Sequence, residues 1–212
     1  MKPKSRNLLF LALGGTALAT MPTSRAANYY WDNNGATSGF GTASGTWAEP
    51  TLNQWNTSNS GGNNMQASRT ILIGDDVFFG TDTVGLGAGT ITVSGTVDVR
   101  NMTFGAASGA IVLSGDTINL GATSVINANN SSNTINSVLS GAATSFTKAG
   151  SGTLILGGTN TFTGQTIINA GTLDLGGGTA NGSLDSTVLT LNGGSFAYTR
   201  TGNTTQAFTT TN

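Results

Sequence analysis

GTLILGGTNTFTGQTIINAGTLDLGG, residues 152–177, contains one short phrase twice. Leu154-Ile155-Leu156-Gly157-Gly158 returns nineteen residues later as Leu173-Asp174-Leu175-Gly176-Gly177, with Thr, Asn and Gly between. In both copies aliphatic side chains alternate with other residues and a glycine pair follows. Alternation is a strand signal, because successive side chains on a strand point to opposite faces. Glycine ends the strand where the chain must turn sharply.

The phrase recurs along the chain. A β-branched or Leu residue, then Ser, Gly or Asn, then Gly occurs at Val93, Leu113, Leu139, Leu156, Leu175 and Leu191. Five of the six have an apolar residue two places earlier: Ile91, Ile111, Leu154, Leu173 and Leu189. Self-similarity at a loose period near twenty is the mark of a solenoid. Short alternating strands such as TITV, TINL and TLDL make it a β-solenoid. The expected fold is all-β, a parallel β-helix whose coils present the phrase on a constant face. A sandwich of hairpins is the alternative. One coil cannot bury its inward side chains alone, so neighbours must complete the core. Each inward Val, Leu or Ile contributes roughly 1.5–3 kcal/mol when fully buried. The uneven spacing predicts loops of varied length, above all NANNSSNT at 127–134, and Asn is expected to form ladders at turns.

Composition agrees with a repetitive fold. Charged residues are 8% of the 212, against about 25% in an average domain. Hydrophobic residues still reach 37% and fall in ordered short runs. There is no Cys and no His, which removes disulfides, thiol chemistry, Cys/His zinc sites and His-dependent triads.

The front of the chain divides from the rest. Lys2, Lys4 and Arg6 precede the apolar run Leu8 to Ala19, and Ser24 and Ala26 follow. This is the layout of a secretory signal peptide. It is too short for a transmembrane helix, which needs about 20 apolar residues. Cleavage is expected after Ala26, with Ala19 as the alternative. The remaining chain keeps Arg69, Arg100, Lys148 and Arg200 against nine acids, a net charge of −5. Nucleic-acid binding is not expected of it. Residues 27–66 carry Tyr29, Tyr30, Trp31, Phe40 and all three tryptophans, Trp31, Trp47 and Trp55. Open solenoid ends need covering, so this segment reads as an N-terminal cap. Residues 67–212 form the expected repeat domain, which reads as incomplete at its C-terminus.

Residues 147–177 resemble the autotransporter-associated β-strand repeat, also called the passenger-associated transport repeat. The matching residues are Lys148, Gly150 to Leu154, Asn160 to Gly164, Thr166 and Gly171 to Leu173. The opening YYWDNNGATSGFGTASGTW, 29–47, is similar to the N-terminal block of secreted bacterial proteins with such repeats. The resemblance implies a right-handed parallel β-helix on a bacterial surface or in the medium, whose repeat assists passage across the outer membrane. It implies an outer-membrane translocator, or a further C-terminal region, as partner. The chain itself lacks the terminal alternating strands of a membrane barrel, so self-translocation is not expected of it.

No catalytic, cofactor-binding or metal-binding residue is expected, and any ligand-binding residue and the oligomeric state stay open. Asp75-Asp76 reads as a solvated turn rather than an acid/base pair, since neighbours on a strand face apart. Asp32-Asn33-Asn34-Gly35 opens like a calcium loop but lacks its closing Glu, because Glu49 lies too far along. Lys148 is expected to pair weakly with an acid of a neighbouring coil. Thr90/Thr92 and Thr161/Thr163 fall short of the regular array that ice binding needs. Two alternatives remain beside a structural passenger. A carbohydrate-binding adhesin would stack surface glycans on the tryptophans. A polysaccharide-degrading enzyme would gather three or more of Asp75, Asp76, Asp82, Asp98 and Asp116 in a groove on one face.

Overall fold

The computed structural model describes residues 26–141, 145–186, 188–202 and 205–208. The basic head and apolar run of the expected signal peptide lie outside them. The chain enters through β1 (Asn28–Trp31) and β2 (Thr46–Trp47). It turns back through the two-residue strands β3 (Trp55–Asn56) and β4 (Met65–Gln66), then begins to wind. β5 (Asp76–Phe79) and the long β6 (Gly89–Val99) are followed by β7 (Asn101–Phe104) and the long β8 (Ile111–Leu120). Next come β9 (Thr123–Ala128), β10 (Ser132–Ile135) and β11 (Val138–Ser140). The last coils hold β12 (Ser145–Ala149), β13 (Thr153–Leu156), β14 (Gln165–Ile168), β15 (Thr172–Leu175), β16 (Leu189–Leu191) and β17 (Ser195–Tyr198).

The strands stack in two long sheets. One runs β16-β14-β12-β9-β7-β5-β1-β3-β4, the other β17-β15-β13-β10-β8-β6-β2. All pairings are parallel except β1 with β3 and β3 with β4. The chain therefore winds as a β-solenoid, making five coil-to-coil steps from β5 to β16. The second halves of β6 and β8 pair again beyond a register shift, and β11 extends that row. This third, shorter face begins at Gly95 and Gly115. Gly115 has φ 121°, and a Cβ there would collide with the carbonyl of Val93. Only glycine lets the chain bend that close to the coil beneath.

Register explains the core. On the first sheet Val77, Met102, Ile126, Lys148, Ile168 and Leu191 are successive Cα partners. On the second, Ile91, Leu113, Ile135, Leu156, Leu175 and Tyr198 form the equivalent column. Leu154 pairs with Leu173 and Leu156 with Leu175, so the two copies of the opening phrase lie directly against each other. All four leucines are fully buried. A one-residue slip would turn each of them outward.

Two expectations fail. The phrase does not keep one face. Leu139 stands on the third face against Ile118, and Leu191 stands on the first sheet against Ile168. Val93 pairs with Gly115 rather than with Leu113, because Ile91 takes Leu113. Strand-then-glycine marks corners on different faces of the coil, not one corner per coil. Nor is 127–134 a loop. It contains the end of β9, a short turn and the start of β10. Asn130 and Asn133 are buried there and bond to each other, to Ile111 N and to Gly109 O. At this turn the asparagines tie neighbouring coils together through the backbone, whereas further on Asn192 Nδ2 donates to Asn169 Oδ1 at 3.1 Å, a rung of like side chains between coils.

The N-terminal end is aromatic. Trp31 and Trp55 meet edge to face at 5.0 Å, Trp47 and Trp55 at 5.3 Å, and Phe79 stacks on Phe104 at 5.1 Å. β1 and β2 belong to the coil stack through β5 and β6. β3 and β4 lie outside β1 and complete that sheet's N-terminal edge.

Candidate functional site

The chemistry-bearing residues are scattered, and each is engaged by its own surroundings. Asp75 is the most heavily bonded. Its carboxylate is almost fully buried; Oδ2 accepts Arg69 Nη2 at 2.9 Å and Leu72 N at 3.0 Å, and Oδ1 accepts Ala27 N at 3.0 Å. Arg69 also lies 4.3 Å from the ring centre of Tyr29, whose phenol burial pushes above its ordinary range. Asp76 takes a two-pronged contact from Arg100, at 2.9 and 2.7 Å, and a third bond from Asn101. The expected solvated turn is thus a pair of clamps. Asp75 ties the chain's entry to the turn before β5, and Asp76 ties β5 to β7. Two arginines, six and twenty-four residues away, were the available signal.

The other acids are dispersed. Asp98 accepts Asn119 Nδ2 at 2.7 Å, Asp116 accepts Gly95 N at 2.7 Å, and Asp82 accepts Ala106 N at 2.8 Å. Among the described residues no three His, Cys, Asp or Glu gather as a metal site would need. Asp32 is buried and forms an Asx turn with Asn34 N, while Asn56 Nδ2 holds its second oxygen. Burial raises its pKa, against the pull of those bonds. Glu49 closes a different contact, accepting Trp47 Nε1 and Ile71 N. Burial raises its pKa too.

Lys148 corrects the sequence reading most sharply. It is fully buried in an otherwise aliphatic column and meets no acid. Nζ donates to the carbonyls of Ala149, Gly150 and Ala170, at 2.8, 2.8 and 3.1 Å. The ammonium pins its own turn to the turn of the next coil, where Gly171 passes over Gly150 and Gly152 too closely for a Cβ. Burial lowers its pKa to about 8. Between pH 8 and about 10.4, the ordinary lysine value, the unfolded chain binds a proton that the folded chain does not. Stability is therefore expected to rise with pH across that window. Urea melts at pH 7.5, 9 and 10 check this, and Lys148→Met should flatten the slope.

The tryptophan platform is not available. Trp31, Trp47 and Trp55 are fully buried. A cleft of about 350 Å³ beside β2, lined by Thr46, Pro50, Leu52 and Gln54 among others, contains no ionisable group. What the chain presents outward is its two sheet faces. One row of outward partners on the second sheet reads Thr90, Val112, Thr134, Ile155, Asp174 and Ala197.

The family model described as passenger-associated transport repeat matches residues 146–175. These residues are β12 to β15, the coil step in which Leu154 and Leu173 pair. The chain carries a passenger-associated transport repeat. Within it, Lys148 and the 154/173 and 156/175 pairs are the structural centre of the motif. The chain is also 36% identical over 189 residues to the adhesin BmaC autotransporter of Brucella suis. That match covers 88% of this chain and 5% of the relative, so the chain spans a small part of that protein's length. No solved structure matches.

Proposed function

We propose that this chain is an exported, non-catalytic passenger segment of a bacterial surface or secreted protein. Residues 1–26 act as the export leader, 27–66 close the N-terminal end, and 67–212 form the repeat body. The supporting observation is the in-register burial of Leu154 against Leu173 inside the repeat. Stacking is the mechanism. Each coil that emerges gains a core only by settling on the one before it, so folding outside the membrane opposes return. A translocator supplied by further chain or by another protein is the implied partner. The dispersal of the acids supports a role without catalysis.

The relative's name favours adhesion as a second reading. Its surface would be the outward rows, since the tryptophans are inside. Display from a Gram-negative host, with the chain placed between its own leader and a heterologous barrel, tests the main reading. Leu154→Asp should lower surface display several-fold, and Thr153→Asp, one place along, should leave it unchanged. Equal display of both variants would overturn the stacking mechanism.

A further inference from the structure

The nitrogen of Ala27 is held in an unusual way for an ordinary amide. It donates to Asp75 Oδ1 at 3.0 Å, and that carboxylate is 1% exposed. Arg69 and Leu72 N occupy the other oxygen, Oδ2. The carbonyl of Ala27 accepts Asp76 N at 2.8 Å, which fixes the residue from both sides. Ala27 itself packs against the core, while Ala26 is exposed. The expected leader ends between these two residues.

We propose that cleavage between Ala26 and Ala27 converts the Ala27 nitrogen into an α-ammonium seated as an ion pair on Asp75, so that removal of the leader locks the first coil. The reaction is hydrolysis by a signal-type peptidase. Water's oxygen ends on the new Ala26 carboxylate and both its hydrogens on the Ala27 nitrogen, giving the ammonium directly. A charged donor then replaces a neutral one at a buried carboxylate, adding the attraction of an ion pair to a bond whose acceptor is already charged. The ionisable groups around the site are Asp75, Arg69 and Tyr29, with Asp76 and Arg100 in the adjoining clamp. Arg69 lies on the far oxygen, so the ammonium faces Asp75 itself.

An unperturbed α-amino group has a pKa of about 7.7–8.0. The ion pair raises it in the folded chain. The added stability is therefore complete below about pH 7.7 and disappears as pH rises through the raised value.

This inference rests on the export reading, and the two fail differently. The chain is expressed with its leader in a Gram-negative host, and the exported protein is sequenced from its N-terminus. Retention of Met1 in the cytoplasm would count against export. A mature chain beginning at Thr20 would overturn the lock, because the Ala27 nitrogen would remain an amide. A start at Ala27 is the expected result. The processed protein is then acetylated on its α-amine, which keeps an N–H but removes the charge. Acetylation should lower the folding constant about tenfold at pH 6.5, or about 1.4 kcal/mol. It should have no effect at pH 9.5, nor at either pH in Asp75→Asn. If Asp75→Asn does not fold, NMR titration of the Ala27 amine decides. A pKa above about 8.0 supports the ion pair, and one at or below about 8.0, within or under the unperturbed range, overturns it.

Discussion

Leu173→Asp is expected to unfold the last coils while the first ones stay folded. Leu173 lies between Leu154 and Phe196 and is fully buried. The substitution forfeits roughly 1.5–3 kcal/mol of burial and adds an unpaired carboxylate among leucines. The combined cost is about 4–5 kcal/mol or more, a value reserved for such charge burial. Globular domains hold only about 5–15 kcal/mol in total. In a stack where each coil touches only its neighbours, the damage falls on the coils around the lesion. Hydrogen exchange should therefore accelerate in β13 to β17 and remain slow in β5 to β8. Thr172→Asp, on the outward side, should cost about 0.5 kcal/mol or less. Equal effects at 172 and 173 would mean that the inward column is misassigned.

Trp55→Ala should act at the opposite end. Trp55 touches Trp31, Trp47 and Phe79, with ring centres 5.0, 5.3 and 6.4 Å away. Emptying a fully buried aromatic site costs about 3–5 kcal/mol. The antiparallel β3 would lose its only large inward anchor, so β1 to β4 should exchange quickly while β12 to β15 hold. Trp55→Phe separates packing from hydrogen bonding. The indole Nε1 is buried without a partner, so phenylalanine keeps most of the ring and removes an unsatisfied donor. Chemical denaturation should show Trp55→Phe costing less than half of Trp55→Ala.

Particular residues show which parts of the fold were legible in the sequence. The alternating strands and the 154/173 pairing follow from local periodicity, and both are visible because that coil step is short and regular. The register of β6 on β8 is not. It depends on a shift at Gly95 and Gly115, which a phrase-matching reading aligns two residues off. The contact of β1 with β5, from Asn28 to Asp76, was out of reach for another reason. The chain between them folds back on itself in β3 and β4, and no repeat spans it. For Lys148, residue type misled. A lone lysine in a charge-poor repeat suggests the surface, but its three carbonyl partners belong to backbone turns, which sequence does not reveal. The tryptophans are a similar case, since a ring made for a sugar and a ring made for a core read alike.

Parallel pairing in register also constrains how such a gene can lengthen. Ser145 pairs with Gln165, so residues 145–164 are one complete winding. A tandem duplication of that twenty-residue unit would slot in as a new rung, with every old strand keeping the partner chemistry it had. The rod would grow by about 4.8 Å. A residue gained or lost inside a strand would turn that strand's side chains inside out, whereas the turns absorb differences in length, since successive partners of the first sheet's inward column already stand 25, 24, 22, 20 and 23 residues apart. The length of the rod would then be inherited in whole rungs.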